Sequence, residues 1–181
     1  ITSVDRDDLP DKGAKMWVAT VKAIKQLNEF VTIEILIPDF DANKELIVEV
    51  INSGAEVISH NLETVRRLTP QIRSRAKYDT SLETLKIIAD SGVRAKTGIM
   101  LGLGETEEEV LQTMDDAIAA GVEVFTIGQY LQPSKQNIPV EKYINPQVFE
   151  FFRHEGLKKG FKFIESAPLV RSSYHAEKHI K

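Results

Sequence analysis

Residues 80–129 read TSLETLKIIADSGVRAKTGIMLGLGETEEEVLQTMDDAIAAGVEVFTIGQ, two helical patterns each closed by a glycine and followed by a short apolar strand. Thr80 with Glu83 and Thr106 with Glu109 have the spacing of a capping box, in which a hydroxyl and a carboxylate satisfy the free N–H groups of a helix start. Gly92 and Gly121 stand where a left-handed residue closes the last carbonyls of a helix. Working outward, Ser53-Gly54-Ala55 and Lys159-Gly160-Phe161 repeat the punctuation, and Asn145-Pro146 supplies an N-cap followed by proline at the first helical position. The unit is helix, glycine, strand. Helices are predicted at about 13–27, 43–53, 62–68, 80–91, 106–120 and 146–159, and strands near 1–4, 31–37, 56–60, 94–101, 123–129 and 161–165. Strands alternating with helices of this length pair in parallel through right-handed crossovers, as an α/β barrel or an open doubly wound sheet. Periodicity does not separate the two. Polar residues gathered at strand ends (Asp5 and Arg6, Asp39, Ser59-His60-Asn61, Gly102 to Glu105, Gln129) favour the barrel, whose rim carries active sites. Residues 1–165 are read as that domain and 166–181 as an irregular tail.

The chain has 181 residues, 42% hydrophobic and 28% charged, with 10 glycines and 7 prolines, which excludes disordered and collagenous classes. Lys and Arg number 23 against 27 Asp and Glu, and no long basic block is present, so nucleic acid is not the expected partner. No run approaches a membrane span, and the start has no signal-peptide pattern, which points to the cytoplasm or an organelle matrix. With no cysteine, these residues alone hold no disulfide, thiolate zinc site or cysteine-ligated iron–sulfur cluster. Ile1 to Val4 reads as the tail of a strand and does not begin with Met, the expectation being a fragment that lacks an N-terminal part.

Each polar cluster has two readings. Asp5, Arg6, Asp7 and Asp8 could bind an ammonium group or a metal, or pair with one another as a solvated loop. Asn61 and Glu63 could hydrogen-bond a ribose or an amino-acid group, while Asn61 serves equally well as an N-cap and His60 as a structural hydrogen bonder. Gly98 to Thr106 is a glycine-rich turn, but Glu107 stands where a dinucleotide fingerprint needs glycine, and Glu105 and Glu107 to Glu109 repel phosphate. The acidic residues complement a helix dipole, and the glycines suit close approach by a neutral or cationic adenosine derivative. Gln129 and Tyr130 could contact a base or simply pack. His175 and His179 lie four apart without the zincin order. Residues 73–78 form a small basic patch, either solvated or facing an acidic partner.

In combination, Ile1 to Leu9 (ITSVDRDDL), Ile33 to Phe40 (IEILIPDF), Ser59 to Thr64 (SHNLET), Lys96 to Thr106 (KTGIMLGLGET), Thr126 to Ser134 (TIGQYLQPS) and Pro168 to Ala176 (PLVRSSYHA) resemble the lipoyl synthase family of radical S-adenosylmethionine enzymes, in family order and across nearly the whole chain. The resemblance implies a partial (β/α)6 TIM-like barrel of parallel strands, truncated at its N-terminus. It implies S-adenosylmethionine at the C-terminal strand ends and two [4Fe-4S] clusters in the intact enzyme. One cluster cleaves the cofactor to a radical, and the other is sacrificed to put sulfur on carbons 6 and 8 of a protein-bound octanoyl-lysine. Implied partners are an octanoylated lipoyl domain or glycine cleavage H protein and an electron donor such as flavodoxin or ferredoxin. Carried over, the cofactor-binding residues are Asn61, Glu63, Glu105 and Gln129, with Thr2, Asp5 and Lys96 as further candidates. The Arg-Ser-Ser-Tyr motif places a serine ligand of the auxiliary cluster at Ser172 or Ser173, Ser172 being preferred. Two departures stand out. The family's two cysteine triads fall upstream of Ile1, so the chain alone is expected to be inactive, and Ala167 replaces the usual glycine. The alternatives are a metal-free barrel enzyme using Lys96 and rim carboxylates, and a non-catalytic module that docks a lipoyl domain.

Overall fold

A computed structural model describes residues 1–180. Five strands, β1 (Glu34–Leu36), β2 (Val57–Ser59), β3 (Arg94–Leu101), β4 (Val124–Gln129) and β5 (Phe163–Ser166), form one sheet in chain order, every pair parallel. The helices are α1 (Ala14–Leu27), α2 (Lys44–Ile51), the one-turn α3 (Thr69–Ile72), α4 (Tyr78–Asp90), α5 (Glu107–Ala119) and α6 (Pro146–Lys159). A doubly wound sheet reverses its strand order at a switch point. This sheet does not reverse, and neighbouring helices touch in the same sequence, α1 on α2, α2 on α4, α4 on α5 and α5 on α6. All lie on one face, the singly wound arrangement of a barrel wall. The choice left open by periodicity therefore resolves to an open barrel arc.

Alternation along the strands divides the two faces. Ile35, Ile58, Ala95, Ile99, Leu101, Phe125, Ile127 and Ile164 are buried in the apolar core against the helices, each of the larger side chains contributing about 1.5–3 kcal/mol. Glu34, Ser59, Lys96, Gly98, Met100, Thr126, Gly128 and Glu165 take the opposite parity and face the barrel interior. The four glycines read as helix closures all have left-handed backbone: Gly54, Gly92, Gly121 and Gly160 at φ 98°, 84°, 83° and 110°.

Three expectations are corrected. The strand predicted at 1–4 reduces to one bridge, Thr2 to Leu36, with Leu36 N–H donating to the Ile1 carbonyl at 2.9 Å before the chain turns away. The helix predicted at 62–68 is absent, because Glu63 pairs with β3 instead: its N–H donates to Gly98 O (3.0 Å) and its carbonyl accepts from Met100 N–H (2.9 Å). Thr80 caps nothing, since α4 begins at Tyr78 with Lys77 at the N-cap and no side-chain cap bond. The tail beyond Ser166 does not hang free. Ala167 N–H donates to Ile127 O and Gln129 N–H to Pro168 O, each at 3.1 Å, and the described residues close with a 3-10 turn (Ala176–Ile180) whose His179 is fully buried.

Candidate functional site

At the C-terminal ends of β2, β3 and β4 lies a cavity of about 200 Å³, walled by Asn61, Glu63, Gly98, Met100, Thr126, Gly128 and the tail residues Val170 to Ser172. Its floor is kept bare by glycines. A Cβ at Gly98 would meet Thr126 Oγ1 at 2.1 Å, and one at Gly128 would meet the Val170 carbonyl at 2.3 Å. Glu63 enters with φ 66°, a left-handed backbone that few non-glycine residues adopt. What imposes it is the pairing with Gly98 and Met100. Strain of this kind collects at functional sites. Burial pushes the Glu63 carboxyl above its usual range, opposed by the Asn61 amide and the Arg73 guanidinium. Asn61 Oδ1 is buried and has no hydrogen-bond partner among the described residues, a cost unless a donor arrives from outside.

Beneath Asn61 a fixed network supports the rim. Arg73 donates to the Asn61 carbonyl (3.1 Å) and to Ser81 Oγ (2.9 Å). Ser81 in turn bonds His60 Nε2 (2.9 Å), and His60 Nδ1 bonds the Ile37 carbonyl (2.9 Å). The Ile37 carbonyl can only accept, so Nδ1 carries the proton of the neutral ring, and the Ser81 hydroxyl, which accepts from Arg73, donates to Nε2. Burial holds the His60 pKa down to about 4, keeping the ring neutral. His60 is thus a structural hydrogen bonder, and Arg73 is not a free basic surface group. Arg75 is likewise paired, with Asp7 at 2.5 Å.

The other residues singled out in the sequence scatter. Glu105 locks the glycine-rich turn, accepting from Gly102 N–H (2.6 Å) and Leu103 N–H (2.9 Å), and lines a separate cavity between α5 and α6. Gln129 is 5% exposed and its amide is fully bonded: Nε2 to the carbonyls of Leu101, Tyr130 and Lys142, Oε1 to Ile144 N–H. A Cβ at Gly102 would lie 2.3 Å from that Nε2, so the close approach this glycine permits is made by the protein itself. Asp5 lines a small pocket with Arg6, Lys12 and Asp39, in which Arg6 pairs with Asp8 and Lys12 with Asp41. Thr2 lines a larger cavity of about 510 Å³ on the open side of β1, which Ser172 and Ser173 also touch. Lys96 is 1% exposed and bonds Glu34 at 2.7 Å, leaving no open face for a carbonyl substrate. His179 is buried in the interior, whereas His175 packs on Tyr174 and pairs with Glu177 at 3.3 Å, so the two do not converge.

The structure therefore brings Asn61, Glu63 and Ser172 to one cavity. Gly98 belongs to the glycine-rich stretch that the sequence marks for close approach, but Met100, Thr126 and Gly128 were missed as walls; the period-two parity shared by residues 98 and 100 and by 126 and 128 is the signal that finds them.

A barrel wall with this rim has clear relatives. The sequence pattern of the Radical SAM superfamily matches residues 1–117. The chain belongs to the radical SAM superfamily. Within it, the chain is 63% identical over 180 residues to a lipoyl synthase of Parabacteroides distasonis and 64% identical over 181 residues to one of Porphyromonas gingivalis. Each match takes in 99% of this chain and 64% of the relative, so the chain spans somewhat under two thirds of their length. The fold alone is shared with the crystal structure of a domain of pyruvate-formate lyase-activating enzyme from Bacteroides vulgatus, at a TM-score of 0.69 and 13% identity, covering 92% of this chain and 98% of that one. No helix among the described residues is long and apolar enough to cross a membrane.

Proposed function

We propose that the chain is the larger part of a lipoyl synthase and that the cavity of Asn61, Glu63 and Ser172 receives S-adenosylmethionine. The observation that carries this reading is identity of 63–64% to lipoyl synthases over 180–181 residues, nearly all of the chain. The donor set suits the cofactor. Asn61 Oδ1 is an acceptor awaiting a donor, Glu63 offers a carboxylate to a cationic or hydroxylated ligand, and Gly98 and Gly128 leave backbone uncovered for close approach. Held there by Asn61, Glu63 and the uncovered backbone at Gly98 and Gly128, S-adenosylmethionine would supply radical chemistry for attack on an unactivated C–H bond. The chain's own part is to orient that cofactor and exclude water from it.

The residues present do not by themselves fit a [4Fe-4S] cluster, since the chain has no cysteine and Ser172 offers one oxygen. The substrate in this reading is an octanoyl-lysine on a lipoyl domain or H protein, and sulfur insertion with electrons from a flavodoxin or ferredoxin belongs to the longer protein. Titration calorimetry with S-adenosylmethionine tests the cavity: the chain binds it, and Glu63→Gln weakens binding about tenfold, a loss of about 1.4 kcal/mol. Purified alone, the chain carries no stoichiometric iron and makes no 5′-deoxyadenosine. Iron at full occupancy together with cofactor cleavage would overturn the statement that these residues do not hold a cluster by themselves, and absence of any binding would overturn the assignment of the cavity to S-adenosylmethionine.

A further inference from the structure

Below the rim the barrel interior is polar. Lys96 Nζ donates to Glu34 Oε1 (2.7 Å) and approaches His179 Nδ1 (3.3 Å), while Ser59 Oγ donates to the same Glu34 oxygen (3.2 Å). Arg94 donates to the His179 carbonyl, and the His179 ring lies against Phe163 with centroids 5.6 Å apart. His179 belongs to the C-terminal tail, seven residues after Ser172, yet none of its surface reaches solvent. None of these groups lines the rim cavity.

A buried ammonium is costly unless its donors are met. Glu34 meets the charge of Lys96, and the nearest second acceptor is the ring nitrogen that the tail delivers. The tail is thus held at two levels: at the rim by the Ile127–Ala167 and Gln129–Pro168 backbone bonds, and in the interior by His179. Ser172 lies between the two fixed points. A segment tied at both ends samples few positions, whereas one tied at a single end frays.

We propose that Lys96 and His179 form an interior anchor that holds the C-terminal tail inside the barrel and thereby fixes Ser172 beside Asn61 and Glu63. Both are positioning residues. The part that concerns Ser172 rests on the proposed function of the rim; the anchor itself does not. Lys96 accordingly acts from beneath the site and makes no contact with the cofactor.

Hydrogen–deuterium exchange on the chain and on three variants tests this. In His179→Ala, amides of residues 170–176 exchange about tenfold faster while β3 and β4 stay protected, which shows that the variant is folded. His179→Asn restores protection, because its amide oxygen can accept from Lys96 in place of Nδ1. His179→Phe keeps the volume and the packing on Phe163 but offers no acceptor, and its tail exchanges as fast as that of His179→Ala. Unchanged tail exchange in His179→Ala, or protection by Phe equal to that by His, would overturn the anchor. A wild-type chain that fails to bind S-adenosylmethionine would retire the rim reading and leave the exchange result standing, since exchange reports the tail alone.

Discussion

Glu63 carries the argument at the scale of single residues. Left-handed backbone costs a non-glycine residue roughly 1–2 kcal/mol, and Glu63 bears that cost together with a partly desolvated carboxyl. Glu63→Gly is therefore expected to raise stability by about 1 kcal/mol while weakening S-adenosylmethionine binding at least as much as Glu63→Gln does. Ala42 is the control. It ends a turn of three non-glycine residues with positive φ, Phe40, Asp41 and Ala42 at 47°, 52° and 54°, away from the cavity, so Ala42→Gly stabilises by a similar amount without touching affinity. Thermal melts and calorimetry on both variants decide the matter, and equal losses of affinity would remove Glu63 from the site. The sequence picks out Asn61 and Glu63 by type and position. It does not show the strain, because the φ of Glu63 is imposed by β3, more than thirty residues away. Nor does it show that the amide of Gln129 is engaged by backbone thirteen and fifteen residues onward.

At the scale of elements, two threonines with the same sequence signature part company. Thr106 forms the capping box: its hydroxyl accepts from Glu109 N–H (3.3 Å) and the Glu109 carboxylate accepts from Thr106 N–H (2.9 Å). Thr106→Ala is expected to cost about 1 kcal/mol. Thr80→Ala is expected to stay within about 0.5 kcal/mol, as Thr80 lies inside α4 and caps nothing. Urea unfolding of the two variants measures the contrast; equal losses would contradict it. The reason lies outside the helix. Tyr78 is buried, donates its hydroxyl to Asp116 at 3.0 Å and carries the Arg66 guanidinium 4.3 Å above its ring, so packing starts α4 before the local signal does. Glycine closures suffer no such override. Their left-handed backbone is a local demand that few other residues meet, which is why all four were legible.

For the molecule as a whole, strand–helix alternation was legible, but the barrel arc was fixed only by strand order and by helices touching in sequence. The same consecutive wrapping places His60 where β1, β2 and α4 meet, bonded to Ile37 and, through Ser81 and Arg73, to the carbonyl of Asn61. Its pKa is about 4 in the folded chain, against about 6.5 when unfolded. Between those values the unfolded chain binds more protons, so stability is full above pH 6.5 and is lost as pH falls toward 4, by roughly 3 kcal/mol from His60. His179, held near 4 by burial and by the Lys96 ammonium, acts in the same direction. Glu63 opposes them: its raised pKa favours the folded state at low pH, and that contribution fades as pH rises. Comparing the chain with His60→Gln, which keeps a donor and an acceptor but does not titrate, separates the terms. Unfolding free energies measured by urea at pH 7 and pH 5 should fall further for the wild type than for the variant. Equal losses would mean that His60 takes up its proton as readily in the folded chain as in the unfolded one, and the neutral relay beneath the rim would have to be redrawn.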